Sequence, residues 1–227
     1  MGLHDGHRER MKQRFLRHGL TNFDDHNVLE LLLFYAIPRR DTNVLAHRLM
    51  DAFGSLDAVF EADAEALMAV EGIGENTAAL IRLVPEATKR YLMAKSEIGD
   101  ILLDAEAAGQ YFLPRFINCR TETVFLACLD AKMKVLDCRP LSSGSVNAAH
   151  VDVRAIVQMA LLQNASAVIL AHNHTSGIAL PSREDELATI QVQQALKLVG
   201  VELLDHIIVA GDDFVSLADN GLLKAER

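Results

Sequence analysis

The sequence contains few cysteines, and their spacing argues against two common kinds of stabilising site. Cys119, Cys128 and Cys138 are the only three in 227 residues, and no two of them form a Cys-x-x-Cys pair. A disulfide framework needs an even set of cysteines, and a thiolate zinc site needs cysteine pairs. The pattern supports neither. Cys128 lies in an apolar, strand-like run, so we predict that it is a buried free thiol.

Long apolar runs are also missing from the chain. No run reaches the roughly 18 apolar residues that would indicate a membrane span. Residues 1–15 are polar and basic, and they contain no apolar segment of the kind found in secretory signals. We therefore expect a cytoplasmic protein without a membrane partner.

Positive charge is scarce and unevenly distributed. The chain has 22 Lys and Arg residues against 31 Asp and Glu residues, which gives a net charge of −9. This balance argues against a protein that coats nucleic acid through bulk electrostatics, although it permits a local contact. Five cations lie close together near the N-terminus: Arg8, Arg10, Lys12, Arg14 and Arg17. We interpret them as residues of a solvated helix that do not share one face.

The pattern of apolar residues changes near residue 100 and predicts two domains. The first, at 1–97, shows helical periods separated by short loops, so we predict an all-α domain. The second, at 100–227, alternates strand-like and helical runs, which predicts an α/β sandwich. Its predicted strands lie at 123–130, 134–141, 167–172 and 201–211, and its predicted helices lie at 151–163 and 183–200.

Two glycines in the helical half suggest a tight hairpin. Gly72, Ile73 and Gly74 separate two helical runs, and the small Ala78 follows four residues later. Such glycines permit a sharp turn and leave backbone N–H groups free at the start of the second helix, where phosphate is favoured. The spacing resembles the helix-hairpin-helix motif, which contacts the DNA backbone without reading sequence. The alternative is an ordinary αα-hairpin whose glycines serve packing, and the two flanking glutamates favour it.

Two histidines and an aspartate predict a metal site in the second half. His172 and His174 end a buried strand, and side chains two residues apart on a strand point to the same side. Asp185 lies in the first turn of the following helix. Two imidazoles and one carboxylate form a three-ligand zinc site with a fourth position open to water. The alternatives are polar histidines at a sheet edge and a capping box made by Ser182 and Asp185.

The whole string of residues resembles a known family. His-x-His, ten residues and then Asp, with Ser182 three residues before the aspartate, is similar to the JAMM pattern of MPN-domain metalloproteases. The longer motif that contains these residues resembles the bacterial RadC family. It reads HNH-x-SG-x-x-x-PS-x-x-D and is followed by Asp205 and His206 in Leu-Asp-His-Ile-Ile. One departure is Thr175, where this family usually has proline.

The resemblance implies a fold, a cofactor and residue roles. The fold would be an MPN-type, cytidine-deaminase-like α/β sandwich joined to an all-α helix-hairpin-helix domain, with one Zn²⁺ per chain. Zinc would lower the pKa of a bound water, Glu122 would be the general base and Ser182 would stabilise the oxyanion. The alternative is that Glu122 is an exposed residue at the start of a strand, without a catalytic role. His206 is expected to support the metal ligands through contacts with them rather than to bind the metal itself.

Three functions compete at this stage. The first is a zinc-dependent metallohydrolase that cuts a peptide or isopeptide bond in a peptide or protein substrate. The second is a DNA-associated, repair-linked protein that binds DNA through Gly72, Ile73 and Gly74, with a structural or auxiliary metal site. The third is a non-catalytic interaction module, which the intact ligand set disfavours. A zinc deaminase lacks support because its Pro-Cys-x-x-Cys signature is absent. The apolar content would allow a homodimer.

Overall fold

A computed structural model describes residues 3–38, 40–95, 99–143 and 152–223. By its internal contacts the chain divides into two units, Met1–Thr88 and Lys89–Arg227, and the division falls within one long helix. The domain boundary expected between 97 and 100 adjoins residues 96–98, which lie outside the described residues. The domain limits 1–97 and 100–227 therefore stay a prediction.

The N-terminal unit is built from helices, as the apolar periods indicate. The helices are α1 (Leu3–His18), α2 (Asp25–Ala36), α3 (Asn43–Phe53), α4 (Leu56–Glu61), α5 (Ala64–Ala69) and α6 (Glu75–Lys95). Leu29, Leu33, Leu49, Leu67 and Ile81 are fully buried in one apolar core between them. No strand occurs in the described part of this unit.

Polar residues before the short helices of this unit fix where they begin. Ser55 caps α4 by accepting a hydrogen bond from Ala58 N at 3.3 Å, and Asp63 caps α5 in the same way. Such caps satisfy a backbone N–H that the helix itself leaves unpaired. Thr42 precedes α3 without a side-chain cap, and its buried hydroxyl has no hydrogen-bond partner among the described residues.

Three of the five cations of α1 lie close together. Arg10, Arg14 and Arg17 line one surface groove with His18. Their spacing of four and then three residues places them on adjacent turns of one side. Arg8 lies elsewhere, because its guanidinium donates to main-chain carbonyls just after α2.

The C-terminal unit is a five-stranded mixed sheet with helices. Its elements are α7 (Ala105–Phe116), β1 (Thr123–Leu129), β2 (Val135–Ser143), α8 (Val153–Leu162), β3 (Ala167–Asn173), α9 (Arg183–Lys197), β4 (Glu202–Ala210) and β5 (Asp213–Ser216). The strand order is β2-β1-β3-β4-β5. The β3–β4 pair is parallel, and the other neighbouring pairs are antiparallel. The mixed α/β character predicted from the sequence is confirmed.

Apolar side chains leave the sheet on both faces and meet different helices. On one face Phe112 of α7 packs in a cluster with Leu129 and Ile169. On the other face Ile156 of α8 and Val192 of α9 pack with further strand residues. This alternation puts the even-numbered residues of β3, from Val168 to His172, on the side of α9. Cys128 is a free thiol in this second cluster, as predicted.

The pairing of β3 with β4 contains one irregularity that matters for the site. Val168 lies opposite Leu203, but Ile169 lies opposite Asp205, so Leu204 has no partner in the ladder. An extra residue of this kind is a β-bulge, and it interrupts the alternation of a strand. As a result Leu203 and His206, three residues apart, both face α9.

Candidate metal centre

The end of β3 brings the two predicted histidines together. His172 is the penultimate residue of the strand, and His174 follows directly after it. The backbone N–H of His174 donates to Val209 O of β4 at 2.8 Å, which keeps the extended path beyond the strand. The two imidazoles lie side by side with their Nε2 atoms 2.9 Å apart. His172 is buried and His174 is partly exposed.

The start of α9 places Asp185 through its cap. Ser182 Oγ accepts from the backbone N–H of Asp185 at 3.1 Å. In return, Asp185 Oδ2 accepts from the Ser182 N–H at 2.8 Å and from the Ser182 hydroxyl at 2.6 Å. The capping box considered as an alternative is therefore present. It uses only one carboxylate oxygen, so it does not compete with a ligand role for the other.

The three side chains converge on one point. Asp185 Oδ1 lies 3.1 Å from His172 Nε2, and Oδ2 lies 3.3 Å from His174 Nε2. One ligand atom from each residue lies within 4.8 Å of the others, so the cluster could bind a metal ion. Asp185 Oδ1 is buried and has no hydrogen-bond partner among the described residues. Because buried polar atoms are nearly always satisfied, this oxygen fits a cation in the cluster.

The charges around the cluster suit cation binding. Burial alone would raise the pKa of the Asp185 carboxyl, but the proximity of His172 and the hydrogen bonds from Ser182 outweigh it. The pKa of Asp185 therefore lies well below its usual range, and the group is an anion at neutral pH. Burial, with the nearby His172, lowers the pKa of His206 well below the usual value, so that imidazole is neutral. A metal ligand set of this kind needs deprotonated groups.

Two buried residues lie behind the cluster, and one of them contacts His172. His206 on β4 places its Nε2 2.8 Å from His172 Nδ1. Thr189, one turn after Asp185 on α9, places its hydroxyl 2.6 Å from His206 Nδ1. The support expected from His206 is therefore present in the geometry. Thr189 was not anticipated, although its spacing of four residues from Asp185 puts both on one side of α9.

Glu122 lies just before β1, and Asn173, the last residue of β3, contacts the start of the same strand. Asn173 Oδ1 accepts from Thr123 N at 2.8 Å, so this side chain ties the start of β1 to the histidine segment. Glu122 is the residue just before β1 and is partly exposed. Val124 pairs with His172, and continuing this register by two residues places Glu122 beside His174. Glu122 is not one of the three residues that form the described ligand cluster.

The predicted DNA-binding glycines lie between α5 and α6 in the other unit. Gly72 has φ 96°, and a Cβ there would come within 2.6 Å of Leu45 Cδ2, so the turn requires glycine for packing. Ile73 is buried in the core of the unit. These contacts account for two members of the trio by packing alone. Contact with DNA by Gly72, Ile73 and Gly74 stays a prediction.

Comparison with similar proteins identifies the family of this chain. The family model described as the RadC-like JAB domain matches residues 102–222, and the UPF0758 N-terminal model matches residues 6–79. A UPF0758 protein of Nitrosococcus oceani is 35% identical over 215 residues, which covers 95% of this chain and 96% of that protein. Relatives with the UPF0758 name in Idiomarina loihiensis and Fusobacterium nucleatum are 34% and 31% identical, each over at least 95% of both chains.

The sheet, the His-His-Asp cluster and the matched model together define a JAB/MPN-type domain, the fold of JAMM-type metal-dependent hydrolases. Within this class the chain belongs to the RadC-like UPF0758 family, as its motif string suggested. None of the described helices has the length and apolar character needed to cross a bilayer.

Proposed function

We propose that this chain is a zinc-dependent hydrolase that cleaves a peptide or isopeptide bond, with one zinc ion held by His172, His174 and Asp185. The observation that carries the proposal is Asp185 Oδ1, a buried oxygen 3.1 Å from His172 Nε2 without a hydrogen-bond partner among the described residues. The choice of reaction rests on the family's JAB domain.

Zinc is the metal that the donor set favours. Two imidazoles and one carboxylate are typical of catalytic zinc sites, which keep a fourth position open. When bound, zinc would supply Lewis acidity, lowering the pKa of a coordinated water and polarising the carbonyl of the substrate. The buried side of the cluster, formed by β3 and α9, would exclude competing solvent from the ligands.

Glu122 is the proposed general base. Its carboxylate would take a proton from the attacking water and deliver it to the leaving amine, a role that requires a group within hydrogen-bond reach of both. The β1–β3 register supports the assignment: Val124 lies opposite His172, and Glu122 precedes Val124 by the same two residues by which His174 follows His172.

Ser182 is the proposed donor to the oxyanion of the tetrahedral intermediate. Its hydroxyl proton points to Asp185 Oδ2 at 2.6 Å, so this role requires the hydroxyl to rotate towards the substrate. The backbone N–H of Ser182 would continue to hold Asp185 at 2.8 Å during that rotation.

The metal content of the purified chain tests the proposal. We expect about one zinc per chain in the parent and none in the His172→Ala, His174→Ala double variant. A matched control is the His26→Ala, His47→Ala variant, which removes two stacked imidazoles from the N-terminal unit and should keep its zinc. A parent chain that holds no zinc after incubation with the metal and dialysis would contradict the proposal.

The role of Glu122 needs a separate experiment with peptide and isopeptide-linked substrates. Glu122→Gln should lower turnover by about 10²–10⁴-fold, the usual contribution of a general base, and should leave the zinc content unchanged. The matched control is Glu202→Gln, because Glu202 is an exposed glutamate at the start of β4 and is not one of the cluster residues. Unchanged turnover in Glu122→Gln would show that another group is the base.

A second candidate function is a contact between the α5–α6 hairpin and a nucleic-acid backbone. The observation that favours it is Gly74, which directly precedes α6 and leaves the first N–H groups of that helix without a capping side chain. In this case the metal site would be structural or auxiliary. Retention on DNA that falls with salt and is lost in Gly74→Asp would support this function, and no salt-sensitive retention in the parent would exclude it.

A further inference from the structure

A chain of short hydrogen bonds runs behind the proposed ligands. It begins at the main-chain carbonyl of Asp185, which lies 2.6 Å from the Thr189 hydroxyl. The same hydroxyl lies 2.6 Å from His206 Nδ1, and His206 Nε2 lies 2.8 Å from His172 Nδ1. Thr189, His206 and His172 are all at least 98% buried, so these contacts have been removed from bulk solvent.

The chemistry of these groups gives the hydrogen-bond chain a direction. A carbonyl oxygen can only accept, so Thr189 must donate its single proton to Asp185 O. The threonine oxygen then accepts from His206, which puts the His206 proton on Nδ1. A neutral imidazole carries one N–H, so His206 Nε2 is an acceptor, and the proton in its bond to His172 belongs to His172 Nδ1.

The consequence appears on the opposite side of the His172 ring. With its single proton on Nδ1, His172 presents an unprotonated Nε2 towards Asp185 and His174, and this is the form in which histidine binds metal. His174 reaches the same state by a shorter route. Its Nδ1 lies 3.2 Å from Ile178 O, a carbonyl that can only accept, so a single ring proton lies on Nδ1 and leaves Nε2 available to a metal.

We propose that Thr189 and His206 are positioning residues that hold His172 in the Nδ1–H tautomer and so prepare its Nε2 for zinc. This inference rests on the proposed zinc site, but it concerns the state of the protein before the metal binds. Neither residue touches the metal position or a substrate. Both act through His172. The main-chain carbonyl of Asp185 can only accept a hydrogen bond, and this sets the direction of the whole series of hydrogen bonds.

Two substitutions of Thr189 separate this role from simple packing. Thr189→Val keeps the shape of the side chain and removes the hydroxyl, whereas Thr189→Ser keeps the hydroxyl and removes a methyl group. A positioning role predicts that Thr189→Val lowers the zinc affinity by about 10–100-fold, the usual effect of losing a partner behind a ligand, and that Thr189→Ser stays close to the parent. A packing role predicts the reverse order, because Thr189→Ser leaves a cavity.

The affinities would be measured by competition with a chromogenic chelator, after thermal unfolding has shown that each metal-free variant is folded. An equal zinc affinity in the parent and in Thr189→Val would overturn the proposal. So would a larger loss in Thr189→Ser than in Thr189→Val.

A second measurement does not depend on zinc. Two-bond ¹H–¹⁵N correlation spectra of the metal-free chain report which ring nitrogen of each histidine carries the proton. We expect a proton on Nδ1 of both His172 and His206 in the parent, and the Nε2–H form of His206 to appear in Thr189→Val. A parent His206 with its proton on Nε2 would overturn the inference. A parent that shows the expected tautomers but never binds zinc would instead contradict the proposed function and leave this inference standing.

Discussion

Each of the two units buries a carboxylate beside an imidazole, and the two carboxylates differ in how they are satisfied. Glu30 on α2 uses both oxygens: Oε1 lies 3.0 Å from His7 Nε2, and Oε2 accepts from Asn43 Nδ2 at 2.9 Å. Asp185 uses only Oδ2, which accepts two hydrogen bonds from Ser182, while Oδ1 has no such partner among the described residues.

Burial alone therefore does not distinguish a functional carboxylate from a structural one. Glu30 is 2% exposed and Asp185 is 1% exposed, so the two are equally hidden from water. Glu30 on α2 makes hydrogen bonds to residues of α1 and α3, so its role is to hold these helices together. Asp185 leaves one oxygen without such a partner, and a buried oxygen in this state is costly unless a cation or another partner binds it.

The largest expected effect comes from removing the charge at each position. Asp185→Asn should lower the zinc affinity by more than about 100-fold, because the loss of a direct ligand exceeds the range seen for residues behind a ligand. Glu30→Gln should leave the zinc affinity unchanged. The measurement is chelator competition on both variants beside the parent. Equal losses in the two variants would remove the distinction between the two carboxylates.

The reverse pattern should hold for stability of the metal-free chain. Glu30→Ala should lower the free energy of unfolding of the N-terminal unit by about 1–3 kcal/mol, since it removes the hydrogen bonds that a buried carboxylate makes with His7 and Asn43. Denaturant unfolding in the presence of a chelator measures this change. A Glu30→Ala variant as stable as the parent would mean that the His7 and Asn43 contacts contribute nothing.

A smaller effect is expected from the two serine caps. Ser55→Ala and Ser182→Ala should each cost about 0.5–2 kcal/mol of stability, because each serine caps a helix. Only Ser182→Ala should also weaken zinc binding, by about 10-fold, since Ser182 holds Asp185 through its hydroxyl. Unfolding and chelator competition on the same two preparations check both statements. A loss of zinc affinity in Ser55→Ala would show that global stability, not the hydroxyl, governs binding.

The smallest effect concerns acid pH and the metal-free chain. Because the pKa of Asp185 is lowered in the folded state, its contribution to stability is present above the unfolded value of about 3.9 and is lost as the pH falls towards the folded value. The stability difference between the parent and Asp185→Asn should therefore be constant above about pH 5 and shrink below about pH 4. A difference that instead grew on acidification would show that the pKa of Asp185 is raised.

The sequence predicted most of the sheet but missed α7, for a physical reason. Gly109 and Pro114 lie inside this helix, and both residues usually indicate a break. In the structure a Cβ at Gly109 would lie within 2.2 Å of the Phe214 ring, so the glycine serves packing against β5. The short β5 was missed too, since four residues give too little alternation to recognise.

The ligands could be predicted because each depends on local geometry. His172 and His174 follow from the period of a strand, and Asp185 follows from the cap of a helix. Thr189 and the orientation of His206 could not be predicted in the same way. They depend on how two distant elements meet, and a strict alternation along β4 would have turned Leu203 and His206 to opposite faces.

The unpaired Leu204 has a consequence for how this chain tolerates changes in length. Deleting Leu204 would leave Leu203 and His206 two residues apart, and a regular ladder with β3 would then keep both side chains on the face of α9. His206 would still lie opposite Leu170 and could still reach the Nδ1 of His172. We therefore expect β4 to tolerate the loss of this one codon, whereas a deletion that shifted His206 by one position against β3 would turn its imidazole to the opposite face.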